Sequence, residues 1–258
     1  MKKMDLAVSI TVGLALGFFG LVSGITNSLL NPQPASAASP VNAVLTTMLT
    51  SQTRWQTVQG AAQFTWYSQD GSTQIYINKF SLAQPYNVYV DVIDKTGRGV
   101  DGIWISDGQN IYDVDKHKNT YAKSVFRQAL KDTSAVPMQL SAVKPDTVTF
   151  YPLSTIINAP IREYIFPSWF PQGRKGDVYT LKKEGVFLGR KVWVVNLRTI
   201  YKDDTTVWVD QATGIILKVN QLMAGKKFLD MTFTAFKVNA KIAPTTFQVP
   251  AGYSLAGQ

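Results

Sequence analysis

Cysteine is absent from this chain of 258 residues, histidine occurs once, at His117, and glutamate twice, at Glu163 and Glu184. Each shortage removes a class of chemistry. Without cysteine there is no thiolate nucleophile, no disulfide framework and no residue to acylate as a bacterial lipoprotein anchor, so a folded domain must be held by its core. A Ser-His-Asp site would have to be built on His117. The runs G-x-S-x-G, G-x-x-x-x-G-K-[ST] and H-E-x-x-H do not occur. Only a hydrolase built from paired aspartates escapes these exclusions, because pairs formed in space are invisible in sequence. The expectation is a protein that is not an enzyme, with no catalytic residue, no metal site and no cofactor.

What is present begins with a basic start at Lys2 and Lys3 and an apolar run from Leu6 to Ile25. "NPQPASAAS" follows, in which Ala35-Ser36-Ala37 has the small-x-small form of a signal-peptidase site. Residues 1–37 therefore read as an export signal, with an uncleaved membrane anchor as the alternative because the run is long. Residues 38–258 read as one domain in the periplasm or another extracytoplasmic space. With 26 Lys+Arg against 17 Asp+Glu the chain is formally +9. Such a surplus suits a soluble surface and also anionic membranes or acidic partners. Nucleic acid is disfavoured, since the basic residues are scattered and the chain is exported.

After the signal, Val41, Val44, Leu45, Met48 and Leu49 recur at helical spacing and predict a helix over 41–53. Val58 to Trp66 then alternates at the period of a strand, and Asp70-Gly71 turns it back. Gln84-Pro85 starts a strand whose Val88, Val90 and Val92 share one face, and Thr96-Gly97 turns into "GIWI". "SVFRQALK" (124–131) reads as a helix. "YPLSTIINAPIREYIFPSWFP" (151–171) is cut by prolines, and its Pro160 can start a short helix whose Ile161, Tyr164 and Ile165 share a face. Such a segment caps a sheet or forms a movable lid. Strands resume at Val178 and meander to Phe236 with tight turns, which predicts antiparallel neighbours. "KVWVVNL" and "GIILKV" are apolar on both faces, so one face must be covered by helices or by something else apolar.

"WISDGQNIYDVDKHKNTY" (104–121) gathers His117 with Asp107, Asp113 and Asp115, near Asp101. The acids do not match calcium-loop spacing. Asp107-Gly108 is a strong hairpin signal and "DVDKHKN" a second polar turn, so His117 is expected to be a solvated turn residue.

In this order the motifs resemble the LolA/LolB-like superfamily, which includes periplasmic lipoprotein carriers, the lipid-sensing half of RseB/MucB-type regulators and mycobacterial lipid-carrying lipoproteins. The matching pieces are the first helix, the Asp-Gly hairpin, "QPYNVYV", "ISDGQNIYDVD", "VWVDQATGIILKV" and "FTAFKVNAKIAPTTFQVPAGY". They span Val41 to Tyr253. The resemblance implies a mainly β, α+β fold: a strongly curved antiparallel sheet, an unclosed barrel, with helices plugging its concave face over an apolar cavity for acyl chains. The implied function is a non-enzymatic carrier of lipid or lipoprotein acyl groups, similar to outer-membrane lipoprotein sorting. Its cavity residues are expected to be Val88, Val90, Val92, Phe64 and Trp66 on the sheet and Ile161, Tyr164 and Ile165 on the lid, with Gln84 as the lid contact. At the Gln84 position the carriers have an arginine that bonds the lid, so their release mechanism does not transfer directly. Expected partners are an acylated lipoprotein or lipid, with transient contact to a membrane or membrane protein, and the chain is expected to be a monomer. The rival reading is a regulatory sensor of a membrane-anchored signalling partner, like RseB/MucB. Those regulators carry a second domain, for which the residues after Tyr253 are expected to leave no room.

Overall fold

The structure, a computed structural model, describes residues 40–97, 99, 101–126, 139–142 and 151–257. The expected export signal at 1–37, and the expected helix at 124–131 beyond Phe126, lie outside these residues. Ser124 and Val125 are not helical: they end a strand, because Ser124 pairs with Ile111 and Val125 with Asn110 across a hairpin. Among the described residues no helix is long and apolar enough to cross a membrane.

Helix α1 (Pro40–Leu49) starts on proline, whose missing N–H costs nothing in a first turn, and buries Val44, Leu45, Met48 and Leu49. A single 3₁₀ turn, Ser51–Thr53, ends it. Eleven strands of one antiparallel meander follow, interrupted once: β1 (Thr57–Tyr67), β2 (Thr73–Ala83), β3 (Asn87–Asp94), β4 (Gly102–Asp107), β5 (Asn110–Asp115) and β6 (Thr120–Val125). The interruption contains α2 (Pro152–Ile156), α3 (Arg162–Ile165) and the 3₁₀ turn Pro167–Gln172. After it come β7 (Val178–Phe187), β8 (Arg190–Arg198), β9 (Asp204–Asp210), β10 (Ile216–Met223) and β11 (Lys226–Val238). A two-residue strand, β12 (Ser254–Leu255), pairs in parallel with β6.

The twelve strands form one curved sheet in the order β12-β6-β5-β4-β3-β2-β1-β11-β10-β9-β8-β7 that does not close into a barrel. The fold is mainly β, as expected. Strand β11 crosses back to pair with β1, Val58 against Val238 and Trp66 against Leu229, and so joins the two halves of the meander. The spacing predicts separate strands at Val178–Lys182 and Val186–Leu188, but these form the single β7, which absorbs a bulge between Leu181 and Lys183.

One large core lies between the concave face and the helical layer, drawing on β1, β2, β3, β8, β9 and β10 together with α1 and residues 151–170. This layer covers one face of the strands that read as apolar on both sides. A second, small cluster forms behind β4 and β5, where Ile103, Ile105 and Val114 are covered by Tyr89, Tyr112, Tyr121, Val249 and Tyr253. The C-terminal segment thus covers part of the opposite face. Gly214 lets α1 approach: its φ is +77°, and a Cβ there would sit 2.2 Å from the Thr47 carbonyl oxygen.

Candidate functional site: an apolar plug on the sheet

Alternation along β1 to β3 sends Phe64, Val88, Val90 and Val92 to the concave face, where each is at most 3% exposed. Phe80 and Leu82 on β2 lie opposite Val90 and Val88. The plug meets this wall with Ile161 and Ile165, both fully buried, and with Tyr164, whose ring lies 5.5 Å from that of Phe64. The structure therefore brings seven of the eight expected cavity residues into one layer. The eighth, Trp66, lies half-buried at the end of β1, edge-on to Phe228. Phe64, Val88, Val90, Ile161 and Ile165 are all fully buried, so in this conformation protein side chains cover these positions.

The plug is held in an unusual way for a buried segment. Among the described residues, the backbone hydrogen bonds of 151–172 close within the segment itself, such as Ile165 N to Ile161 O at 3.2 Å and Phe166 N to Arg162 O at 3.0 Å. Its links to the rest of the protein run through side chains. Ser51 Oγ donates to Ile165 O at 3.2 Å, Tyr151 Oη to Leu49 O at 3.0 Å, and the Tyr179 hydroxyl to Phe170 O. Ile161 N donates to Asn78 Oδ1 at 3.3 Å. Burial pushes the Tyr164, Tyr151 and Tyr179 hydroxyls far above the ordinary phenol range, so all three stay neutral.

Gln84 reaches the other half of the helical layer. Its backbone is tied to Gln56 O at 2.9 Å, and its Nε2 donates to Gln52 O and, at 2.7 Å, to Trp55 O. The expected contact with 151–172 is thus replaced by one with the turn after α1, because those carbonyls are the ones within reach of the anchored side chain.

Sequence reasoning missed Asn78, Trp55, Tyr151, Phe166 and Phe170. Trp55 stacks obliquely on Phe166 at 5.7 Å, and its indole N–H is buried without a partner. The amide nitrogen of Asn78 is likewise buried and unpaired. A signal for Asn78 did exist: it is a polar residue at an inward position between Tyr76 and Phe80, breaking the alternation of β2.

The acids around His117 separate into distinct uses. Asp107 Oδ1 accepts from Gln109 N and Asn110 N at 2.8 and 2.7 Å, and its Oδ2 accepts from Tyr112 Oη at 2.9 Å. Burial alone would raise that carboxyl, but these donors hold it below the usual carboxylate range. Asp115 accepts from His117 N and Lys118 N. Asp101 and Asp91 both grip Lys116, at 2.6 and 2.5 Å. His117 itself is exposed at the turn, and among the described residues no three His, Asp or Glu side chains form a group able to hold a metal ion.

What this fold and site define is an unclosed, curved antiparallel sheet whose concave face is covered by an apolar plug. No family model matches the sequence, and no curated protein matches it. Solved structures do. MucB is similar at 17% identity over 83% of this chain with a TM-score of 0.45, and the match spans 64% of the MucB chain. A LolA superfamily protein from Nitrosomonas europaea matches at 10% identity over 81% of this chain and 98% of its own, with a TM-score of 0.33. The Mycobacterium tuberculosis lipoprotein LppX matches at 11% over 80% of this chain and 99% of its own, with a TM-score of 0.39. At these values the similarity concerns the arrangement of elements and says nothing of what this chain binds.

Proposed function

We propose that this protein is a non-enzymatic, extracytoplasmic binder of acyl chains, exported by residues 1–37 and acting through 38–258 as a carrier of lipid or acylated lipoprotein. One observation carries the reading: the plug at 151–172 is buried against the sheet by apolar side chains while its backbone bonds close on themselves. Among the described residues, lifting it breaks no strand pairing, and the side-chain hydrogen bonds it gives up are each worth about 1 kcal/mol. The apolar surface left behind is what an acyl chain would cover, at about 0.8 kcal/mol per buried methylene. A chain of ordinary lipid length therefore offsets the loss of the plug's packing, with Phe64, Val88, Val90 and Val92 as the wall. Ile161, Tyr164 and Ile165 are the lid side that moves. Gln84 holds the turn after α1 still, and Trp66 borders the wall.

The test uses the absence of native cysteine. Cysteines placed at 78 and 161, where the Asn78 side chain already bonds the Ile161 amide, would lock the plug when oxidised. Mass spectrometry of organic extracts from gently purified wild-type protein should show acyl lipid at a fixed ratio. The oxidised double-cysteine variant should take up none, and reduction should restore uptake. Lipid uptake by the locked form would overturn the reading. Recovery of a stoichiometric membrane protein, with no lipid in any form, would assign the sensor role in its place.

A further inference from the structure

We infer that the end of the sheet formed by the β8–β9 and β10–β11 turns docks on an anionic phospholipid surface. The register places these turns side by side: Arg198 pairs with Asp204, Asp204 with Leu222, and Met223 with Lys226. Their tips carry Ile200, Tyr201 and Met223, which are 51%, 59% and 44% exposed. Three large apolar side chains on adjoining turn tips have no folding role, since they bury too little to contribute to the core.

The tips are fixed in place before any partner arrives. Asp177 Oδ1 accepts from Ile200 N at 3.0 Å, and Asp203 Oδ1 accepts from Ala224 N at 3.2 Å, tying one turn to the other. Arg174 Nη1 donates to Tyr201 Oη at 2.9 Å and its guanidinium lies over that ring. Asp177 and Asp203 are thus turned toward backbone amides, and Asp204 Oδ1 accepts from Asn196 Nδ2 at 2.6 Å. Lys175, Lys202 and Lys226 are exposed and have no carboxylate partner among the described residues. Protruding aliphatic and tyrosine tips rimmed by lysines suit a headgroup layer, where tyrosine and lysine both favour the interface. Tips of this kind do not suit a flat protein interface, which needs about 800 Å² per partner. The opposite end of β7 offers Val186 and Leu188, 74% and 41% exposed, but on a single hairpin and beside Glu184. The docking end also continues into the plug through 173–177, so a docked protein would hold its apolar layer next to the bilayer. Docking itself does not depend on the cargo reading.

The test labels a single cysteine, in the full chain, with an environment-sensitive dye at Ile200→Cys or at Val186→Cys. With vesicles of phosphatidylcholine and phosphatidylglycerol, the dye at 200 should shift to the blue, and the dye at 186 should not. Phosphatidylcholine alone, or high salt, should abolish the shift. Each lysine near such a surface is worth about a fivefold change in partition, so Lys202→Glu with Lys226→Glu should weaken binding at least about twentyfold. Equal shifts at both positions, equal binding to neutral vesicles, or full binding by the charge-reversed variant would each overturn the proposal. An unchanged melting temperature of the charge-reversed variant secures the comparison. Because no acyl cargo is supplied beyond the vesicle, a protein that docks yet retains no extractable lipid separates this inference from the carrier reading.

Discussion

Two regions of this molecule are buried by opposite means. The hairpin region from Gly102 to Val125 is fastened by directional bonds: ladders between β4, β5 and β6, turn amides held by Asp107 and Asp115, and Lys116 between two carboxylates. The plug at 151–172 is the more deeply covered of the two, but among the described residues it is held by non-directional apolar contact and side-chain bonds. Hydrogen-bonded ladders set a unique register and resist exchange of partners. Apolar contact accepts any partner of similar shape. The proposed exchange of the second region for an acyl chain rests on this contrast.

The largest effect should come from breaking the seat of α1, on which the plug side of the comparison depends. Gly214→Ala forces a Cβ into the Thr47 carbonyl at a positive φ, and urea titration should show a loss of about 3 kcal/mol or more. A loss below about 1 kcal/mol would mean that α1 is loosely docked.

Next comes the polar link of the plug. Asn78→Leu removes the acceptor for Ile161 N and also removes an unpaired buried N–H, so global stability should change by no more than about 1–2 kcal/mol. Hydrogen exchange should nonetheless accelerate at 161–166 and stay unchanged at 110–115. Uniform acceleration in both regions would erase the contrast drawn between them.

A comparable but purely local cost is expected at Gly108, whose φ is +87°. Gly108→Val should destabilise by about 1 kcal/mol or more, and exchange should quicken in β4 and β5 while the plug is spared.

Acid should discriminate in the same direction. The folded carboxyls of Asp107 and Asp115 lie below their ordinary values, for Asp115 chiefly through Lys118 and for Asp107 through its turn amides against the opposing effect of burial. Their stabilising contribution is present above the unfolded carboxylate value, near about 4, and is lost as pH falls through the lower folded one. Proton occupancy measured by NMR should show the hairpin turns loosening first in acid, and Asp107→Asn should remove that pH dependence. The smallest effect belongs to His117. Its replacement by alanine should stay within about 0.5 kcal/mol, and the melting temperature should not move on adding chelator. A chelator-dependent drop that the variant lacks would reveal a bound ion.

Much of the fold was legible because turns and alternation are local. Asp107-Gly108, Thr213-Gly214 and the inward run Val88, Val90, Val92 need only a few residues to be recognised, and all take the expected form. Where a signal depended on what a segment pairs with, reading failed. Ser124 and Val125 suit a helix by spacing, yet β5 supplied strand partners. Val178–Lys182 and Val186–Leu188 suit separate strands, yet they form one because Gly185 between them pairs in register with Val192 of β8.

By itself, then, the sequence determined the strand periodicity, the turn positions, the lack of thiol chemistry, and the apolar character of 151–171, since each follows from residue type or spacing of two to four positions. Only the tertiary structure decided that Gln84 holds the turn after α1, that Asn78 meets Ile161, and that Ile200 and Met223 stand together at one end of the sheet. Those pairs are separated by 32, 83 and 23 positions or so in the chain. Nothing local encodes such meetings: they arise when pairing of whole strands, such as β9 with β10, carries distant turns side by side and the helical layer packs on the curved sheet.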